Sequence, residues 1–266
     1  MIDLVPAISF SLPQLAAIFA RSFEGYFVPF PEDPVRVEAL IRCEGVHLAD
    51  SRVALSAGEP VGLVLVSRRD RESRIAAMGI VPAFRGKRVG EEMLRPLLEE
   101  ARSRADEQVR LEVIDVNHRA VRLYERVGFQ RSRHLVGFEG VIDPEAAPLD
   151  RASIEEVAAL LPVGLPWSCA ANTLRNLASP TYAVRLGSAV AIVRVGEAIG
   201  LRAIAVEPEG RRQGAALRLL RAIAAAHPGK RWQIPGIVPE GPAAELLRRV
   251  GLQPGAFSQW EMSWTP

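Results

Sequence analysis

The sequence predicts a mixed α+β chain built as two sheet-and-helix domains in tandem. Three observations lead there: helical and strand periodicities alternate along both halves, a Pro- and Ala-rich connector divides them, and the second half repeats sequence blocks of the first. The 266 residues suffice for two ordinary domains, and a hydrophobic content of 48% supplies a core for each.

The first half reads helix, helix, three strands, helix, strand, helix, strand. From Leu12 onward Leu15, Ile18, Phe19 and Phe23 recur at helical spacing, predicting a helix near 13–23 with Ser11 as N-cap and Pro13 in its first turn. A second helix, near 33–42, opens at Asp33-Pro34. Strands are expected at about 52–57, 61–68 and 74–81, separated by turn chemistry at Gly58-Glu59-Pro60 and Arg68-Arg69-Asp70. A helix over about 90–104 gathers Met93, Leu94, Leu97, Leu98 and Ala101 on one face. A strand at 110–116, a helix at 117–127 and a strand at about 131–138 complete the half. The mixed-charge run from Arg68 to Arg74 reads as a solvated hairpin tip.

Between Gly140 and Asp150 the text VIDPEAAPLD has no hydrophobic period and reads as a linker. The expected domains are therefore 1–140, a linker at 141–150, and 151–266. Beyond the linker the grammar returns. Gly79-Ile80-Val81-Pro82 through Gly90 aligns with Ala205-Val206-Glu207-Pro208 through Ala216, an offset of 205 − 79 = 126. Tyr124-Glu125-Arg126-Val127-Gly128-Phe129-Gln130 aligns with Leu247-Arg248-Arg249-Val250-Gly251-Leu252-Gln253, an offset of 247 − 124 = 123. Two blocks in the same order mark an internal duplication.

Composition narrows the function. A net charge of +2 with 24% charged residues gives no field that favours nucleic acid or an anionic membrane. The two cysteines, Cys43 and Cys169, are far apart and suit a reducing cytoplasm better than a disulfide framework. Cys169 reads as an inert core thiol, and Cys43 with His47 lacks the second pair that a metal site needs, so no metal is expected. The apolar opening has no basic n-region, carries Asp3 and is broken by Pro6 and Pro13, which argues against a signal peptide. No run reaches the length that spans a bilayer.

The chemistry concentrates after the strand ending at Val81. Pro-Ala-Phe-Arg-Gly-Lys-Arg-Val-Gly followed by an amphipathic helix presents unpaired backbone N–H groups and the cations Arg85, Lys87 and Arg88, a site for an anion. Gly90 would let backbone approach a phosphate. The loop matches neither the P-loop nor the dinucleotide fingerprint. It resembles the pyrophosphate-binding motif Q/R-x-x-G-x-G/A of the GNAT superfamily of acetyl-CoA-dependent N-acetyltransferases: Arg85 and Gly90 match, and Arg88 replaces the middle glycine. The second copy matches with Arg211, Gly214 and Ala216. LEVIDVNHRAVRLYERVGF, from Leu111 to Phe129, is similar to the strand-helix segment of the same superfamily in Asn117, Ala120, Leu123, Tyr124 and Gly128-Phe129.

The resemblance implies two GNAT-like domains, each a mixed, mostly antiparallel twisted sheet flanked by helices. It implies acetyl-CoA as co-substrate, with Met78, Gly79 and Ile80 lining the pantetheine and acetyl group, Gly86 to Gly90 with Val89 lining the pyrophosphate, and Asn117 where two strands splay. A lysine-like amine, with a pKa near ~10.4, must lose a proton before it attacks a thioester, and the departing thiolate is helped by a nearby acid. By resemblance Tyr124 is that acid; as bare sequence it also reads as a core tyrosine whose hydroxyl reaches a polar neighbour. Glu112, twelve residues earlier, resembles the glutamate base of bacterial ribosomal-protein alanine acetyltransferases, and reads equally as a strand glutamate paired with an arginine. Direct attack needs no covalent intermediate, and a backbone N–H near Ile80 would meet the developing oxyanion. Phe23, Tyr26, Phe27 and Phe30 are either an aromatic acceptor pocket, with Tyr26 and Phe27 as substrate contacts, or a hydrophobic plug.

In the second copy Leu247 stands where Tyr124 does, and Pro239-Glu240-Gly241-Pro242 replaces the asparagine turn, so catalysis is expected only in the first. The expected activity is acetyl or short acyl transfer to a primary amine of a small molecule, by a monomer or homodimer. A CoA-binding sensor without turnover and a protein N-terminal acetyltransferase are the alternatives.

Overall fold

A computed structural model describes residues 2–266. The chain forms two compact units, one of residues 1–132 with 261–266 and one of residues 133–260.

In the first unit the elements are β1 (Asp3–Pro6), α1 (Leu12–Ser22), α2 (Pro34–Glu44), β2 (Arg52–Ser56), β3 (Glu59–Arg69), β4 (Glu72–Ile80), α3 (Val89–Ser103), β5 (Gln108–Ile114) and α4 (His118–Arg126). Local chemistry sets the helix starts. Ser11 and Gln14 form a capping box at α1, and the Asp33 carboxylate accepts from Val35 N at 2.9 Å at α2. Sheet order runs β1-β2-β3-β4-β5 and closes on the C-terminal strand, whose residues from Glu261 belong to this unit. β1 to β4 pair antiparallel, and β4 with β5 parallel. α1 packs on β3 and β4, while α3 packs on β2, β4 and β5. Leu15, Phe19, Val37, Val53, Leu63 and Leu65 share one core, and the predicted apolar face of α3 is buried throughout.

Two irregularities in β4 open a cleft. Leu65 pairs with Ala77 and Val66 with Ile75, so Ala76 is a bulge residue that bends the strand. Pairing with β5 ends at Ile75↔Leu111, and from there the strands splay.

The second unit takes in the later part of β6 (Gln130–Gly140), then β7 (Asp150–Ala152), α5 (Ile154–Ala159), α6 (Ala171–Arg175), β8 (Thr181–Leu186), β9 (Ala189–Val195), β10 (Ile199–Val206), α7 (Ala215–Ala226), β11 (Trp232–Pro239), α8 (Pro242–Arg249), β12 (Gln253–Pro254) and the start of β13 (Gln259–Trp264). Its sheet order is β6-β11-β10-β9-β8-β7, with β12 beside β6.

The domain boundaries expected at 140 and 150 need correction. Val136, Phe138 and Ile142 lie in the core of the second unit, so the chain has already entered it by residue 133. The segment 141–150 is irregular but docked: Ile142 is fully buried, and Glu145 accepts an Arg221 ion pair at 3.2 Å. A boundary drawn at a composition shift cannot anticipate that the final strand returns to the first unit, because that return is a tertiary contact.

Candidate active site

A cleft of about 680 Å³ opens in the first unit where β4 and β5 separate, within the range of small-ligand sites. Met78, Gly79 and Ile80 at the end of β4 form one wall, and the loop from Arg85 to Gly90 the rim. Asn117, Arg119, Leu123 and Tyr124 lie along α4, and Phe23, Tyr26 and Phe27 come from the segment after α1. The sequence brought nearly all its candidates to this one place.

The rim is a cradle of backbone. Gly86 has φ +81° and Arg88 φ +64°, two left-handed residues that turn the chain so that α3 begins directly at the cleft. Its unpaired N–H groups and dipole favour an anion there. A methyl group on Gly90 would come within 2.6 Å of Leu123 and 3.3 Å of Met78, so this glycine also allows α3 to sit against α4 and β4. A methyl on Gly79 would come within 2.6 Å of the Phe23 ring, which lies on the β4 backbone.

The charged side chains lining the cleft are Arg85, Arg88, Arg119 and Arg126 against Glu91. Arg119 escaped the sequence reading; its guanidinium reaches to 2.8 Å of where a Gly86 side chain would begin. A cation two residues past the helix-capping asparagine was the available signal. Glu91 pairs with Arg126 at 3.0 Å.

Tyr124 is buried, with its hydroxyl 4.0 Å from Met78 Sδ and its ring edge-on to Phe129. Burial raises its pKa above the ordinary phenol value, and the nearby Tyr26 adds to the rise, so the hydroxyl holds its proton. Tyr26 is raised by burial as well, a hydrogen bond with the Asn117 side chain pulling it partly back. Asn117 caps α4, its side chain accepting from Ala120 N at 3.2 Å. Tyr26, Asn117 and Tyr124 thus form a polar cluster at the base of an otherwise apolar wall.

Three expectations need revision. Glu112 does not line the cleft: its Oε2 lies 2.7 Å from Arg74, which also holds Glu44 at 2.9 Å, and the three side chains are buried together. Strand alternation sends Glu112 toward α2, where an arginine was waiting. Lys87 does not line the cleft either; it is exposed, with its ammonium 5.0 Å from the Phe84 ring. Arg85 lines the cleft, but its guanidinium is engaged by carbonyls: Nε donates to Ile80 O at 2.8 Å, and Nη2 to Glu24 O at 2.6 Å and Ser22 O at 3.3 Å.

The second unit repeats the loop with altered residues. Arg212 (φ +61°) and Gly214 (φ +75°) take the two left-handed positions, and Arg211 Nε donates to Val206 O at 3.1 Å as Arg85 does to Ile80. Leu247 replaces the tyrosine and is a core residue. Gly241 starts α8 without a side-chain cap.

Among the described residues no group of three or more His, Cys, Asp or Glu could hold a metal, and no helix is long and apolar enough to cross a membrane.

Residues 12–129 match the family described as Acetyltransferase (GNAT) family. Over 82 residues, 29% of this chain, the sequence is 40% identical to N-alpha-acetyltransferase RimI of Mycobacterium tuberculosis. Over 77 residues it is 36% identical to the spore coat polysaccharide biosynthesis protein SpsD of Bacillus subtilis. The matched segments span 50% of the first relative and 27% of the second. In fold, the whole chain is similar to a tandem GNAT protein from the clavulanic acid biosynthesis pathway, with a TM-score of 0.68 at 14% identity, covering 100% of this chain and 98% of the other.

Proposed function

We propose that the N-terminal unit of this chain, whose residues 12–129 match the acetyltransferase (GNAT) family, works as an acetyltransferase of that family and moves an acetyl or other short acyl group from acetyl-CoA to the primary amine of a small molecule. The observation that carries the reading is the buried, protonated Tyr124 hydroxyl at the base of a cleft whose rim is a cationic backbone cradle.

The residues present fit the co-substrate. The backbone from Gly86 to Gly90, with Arg88 and Arg119 beside it, would hold the pyrophosphate, and Met78, Gly79, Ile80 and Asn117 the thioester arm. Acetyl-CoA supplies, when bound, an activated acyl group and a thiol leaving group. The chain's own part is positioning and one proton: the splayed edge of β4 offers backbone donors, and the Tyr124 oxygen gives a proton to the departing sulfur. A base role for Glu112 is disfavoured by its ion pair with Arg74, so the amine proton leaves through cleft water. Phe23, Tyr26 and Phe27, edge-to-face in series, offer apolar contact to the flank of the amine. The second unit, lacking a tyrosine at Leu247, contributes no proton donor, and the cytoplasm is the compartment that suits acetyl-CoA and two cysteines that form no disulfide.

A protein N-terminus is the second reading for the acceptor, favoured by the 40% identity to an N-alpha-acetyltransferase. Release of CoA thiol is measured with amino sugars, alkyl and aryl amines, and short peptides with free N-termini. Turnover of small amines above peptides supports the leading reading, and the reverse order supports the second. Acetyl-CoA binding without turnover on any acceptor would make the chain a sensor.

A further inference from the structure

Arg85 occupies the motif position whose charge is expected to serve the pyrophosphate, yet its guanidinium spans two pieces of backbone. Nε holds the carbonyl of Ile80, the last residue of β4. Nη2 holds Ser22 O, at the last residue of α1, and Glu24 O just beyond it. The last carbonyls of a helix have no partner within it, and a cation there is favoured by the helix dipole. Arg85 is half-buried between them.

Directly after these carbonyls, Gly25 turns the chain at φ +69° into the segment that carries Tyr26 and Phe27. That segment is the acceptor wall of the cleft and includes the exposed apolar side chains Phe27 and Val28. Its ties also include the Phe23 ring over Gly79 and the Tyr26 hydrogen bond to Asn117, both made to residues that line the co-substrate side. Arg85 is itself the first residue of the loop whose backbone forms the rim.

We infer that Arg85 is a positioning residue that straps the acceptor wall to the pyrophosphate loop, so that ordering the loop with acetyl-CoA orders the wall and raises affinity for the amine. This rests on the acyl-transfer reading for its ligands, but the strap itself is a property of the free protein. The second copy supplies a natural contrast: Arg211 keeps the bond to its strand end, and among the described residues makes no other side-chain hydrogen bond. The strand-end bond therefore belongs to the repeat, while the bonds to Ser22 and Glu24 are particular to the working copy. Coupling is reciprocal, so the amine must also tighten acetyl-CoA by the same factor.

The test compares wild type with Arg85→Gln, Arg85→Lys and Arg211→Gln. In the ligand-free protein the amides of Glu24 and Tyr26, bonded to Arg21 O and Phe23 O, are expected to exchange about tenfold faster in Arg85→Gln, with β3 and β4 unchanged. Arg85→Lys, which can hold only part of the fork, should fall between, and Arg211→Gln should match wild type. With acetyl-CoA present, the KM for the amine should rise about fivefold or more in Arg85→Gln with kcat nearly constant, and acetyl-CoA affinity measured calorimetrically should change far less. Unchanged amide exchange in Arg85→Gln overturns the strap. So does a large loss of acetyl-CoA affinity with an unaltered amine KM, which would make Arg85 a phosphate ligand. If wild type turns over no amine, the acyl-transfer reading fails, and the exchange measurement still decides the strap.

Discussion

At position 86 the first copy has glycine and at 88 arginine; at the corresponding positions 212 and 214 the second has arginine and glycine, and all four residues are left-handed. The backbone path of this loop has been kept through an exchange of the residues that occupy it. What separates the copies is the floor beneath. Gly79 leaves space for Phe23 where the second copy has Ala205, Asn117 caps a helix where Gly241 starts one uncapped, and the proton-bearing Tyr124 gives way to the core residue Leu247. A left-handed loop at a helix start is thus a structural inheritance, while the open, polar space below it is particular to the first copy.

The comparison breaks most sharply at Gly79. Gly79→Ala forces the Phe23 ring and Ser22 off the β4 backbone, and displacement on the scale of an ångström is expected to lower turnover about 100-fold. Ala205→Gly in the second copy should leave turnover unaltered in the same thiol-release assay. Glu112→Gln is next: removing one partner from the buried Arg74 cluster should cost about 3 kcal/mol in denaturant unfolding, with kcat per folded molecule retained. A loss of kcat without loss of stability would return Glu112 to the role of base.

Acidity sharpens the contrast further. Because burial first, and Tyr26 second, raise the Tyr124 pKa, its phenol stays neutral and protonated beyond the ordinary phenol range. The alkaline limb of kcat is expected above about pH 10, and a limb near 8 or 9 would point to another acid. The same shift contributes stability that is complete below about pH 10, where unfolded tyrosine keeps its proton, and is lost as pH rises through the folded value. The smallest effect concerns the loop itself. Arg88→Gly and Arg212→Gly each relieve a left-handed side chain, worth roughly 1–2 kcal/mol, against an entropic cost for glycine of roughly 0.5–1 kcal/mol. Each should therefore stabilise by about 0.5–1 kcal/mol, measured by chemical denaturation.

Much of this is legible in the sequence alone. Capping signals at Ser11 and Asp33 and the apolar face from Met93 to Ala101 act locally, and the helices start where those residues dictate. The repeat located the loop, and the tyrosine and asparagine located the cleft. What remained hidden depends on partners distant in sequence. The short β1 reads as an apolar start, and the C-terminal strand joins the first unit only through tertiary pairing. Glu112 could have faced either way; Arg74, 38 residues earlier, decides it. Arg85 looked like a phosphate ligand because spacing reveals a side chain's charge but not the carbonyls that surround it.

The central claim is that the first copy performs acyl transfer with Tyr124 as proton donor. Its most direct test is the rate of CoA thiol release by Tyr124→Phe beside wild type, with the best acceptor from the amine panel at saturating acetyl-CoA. Losing a general acid predicts a fall in kcat of about 100-fold or more with acetyl-CoA affinity little changed, and equal rates in the two proteins would contradict the account.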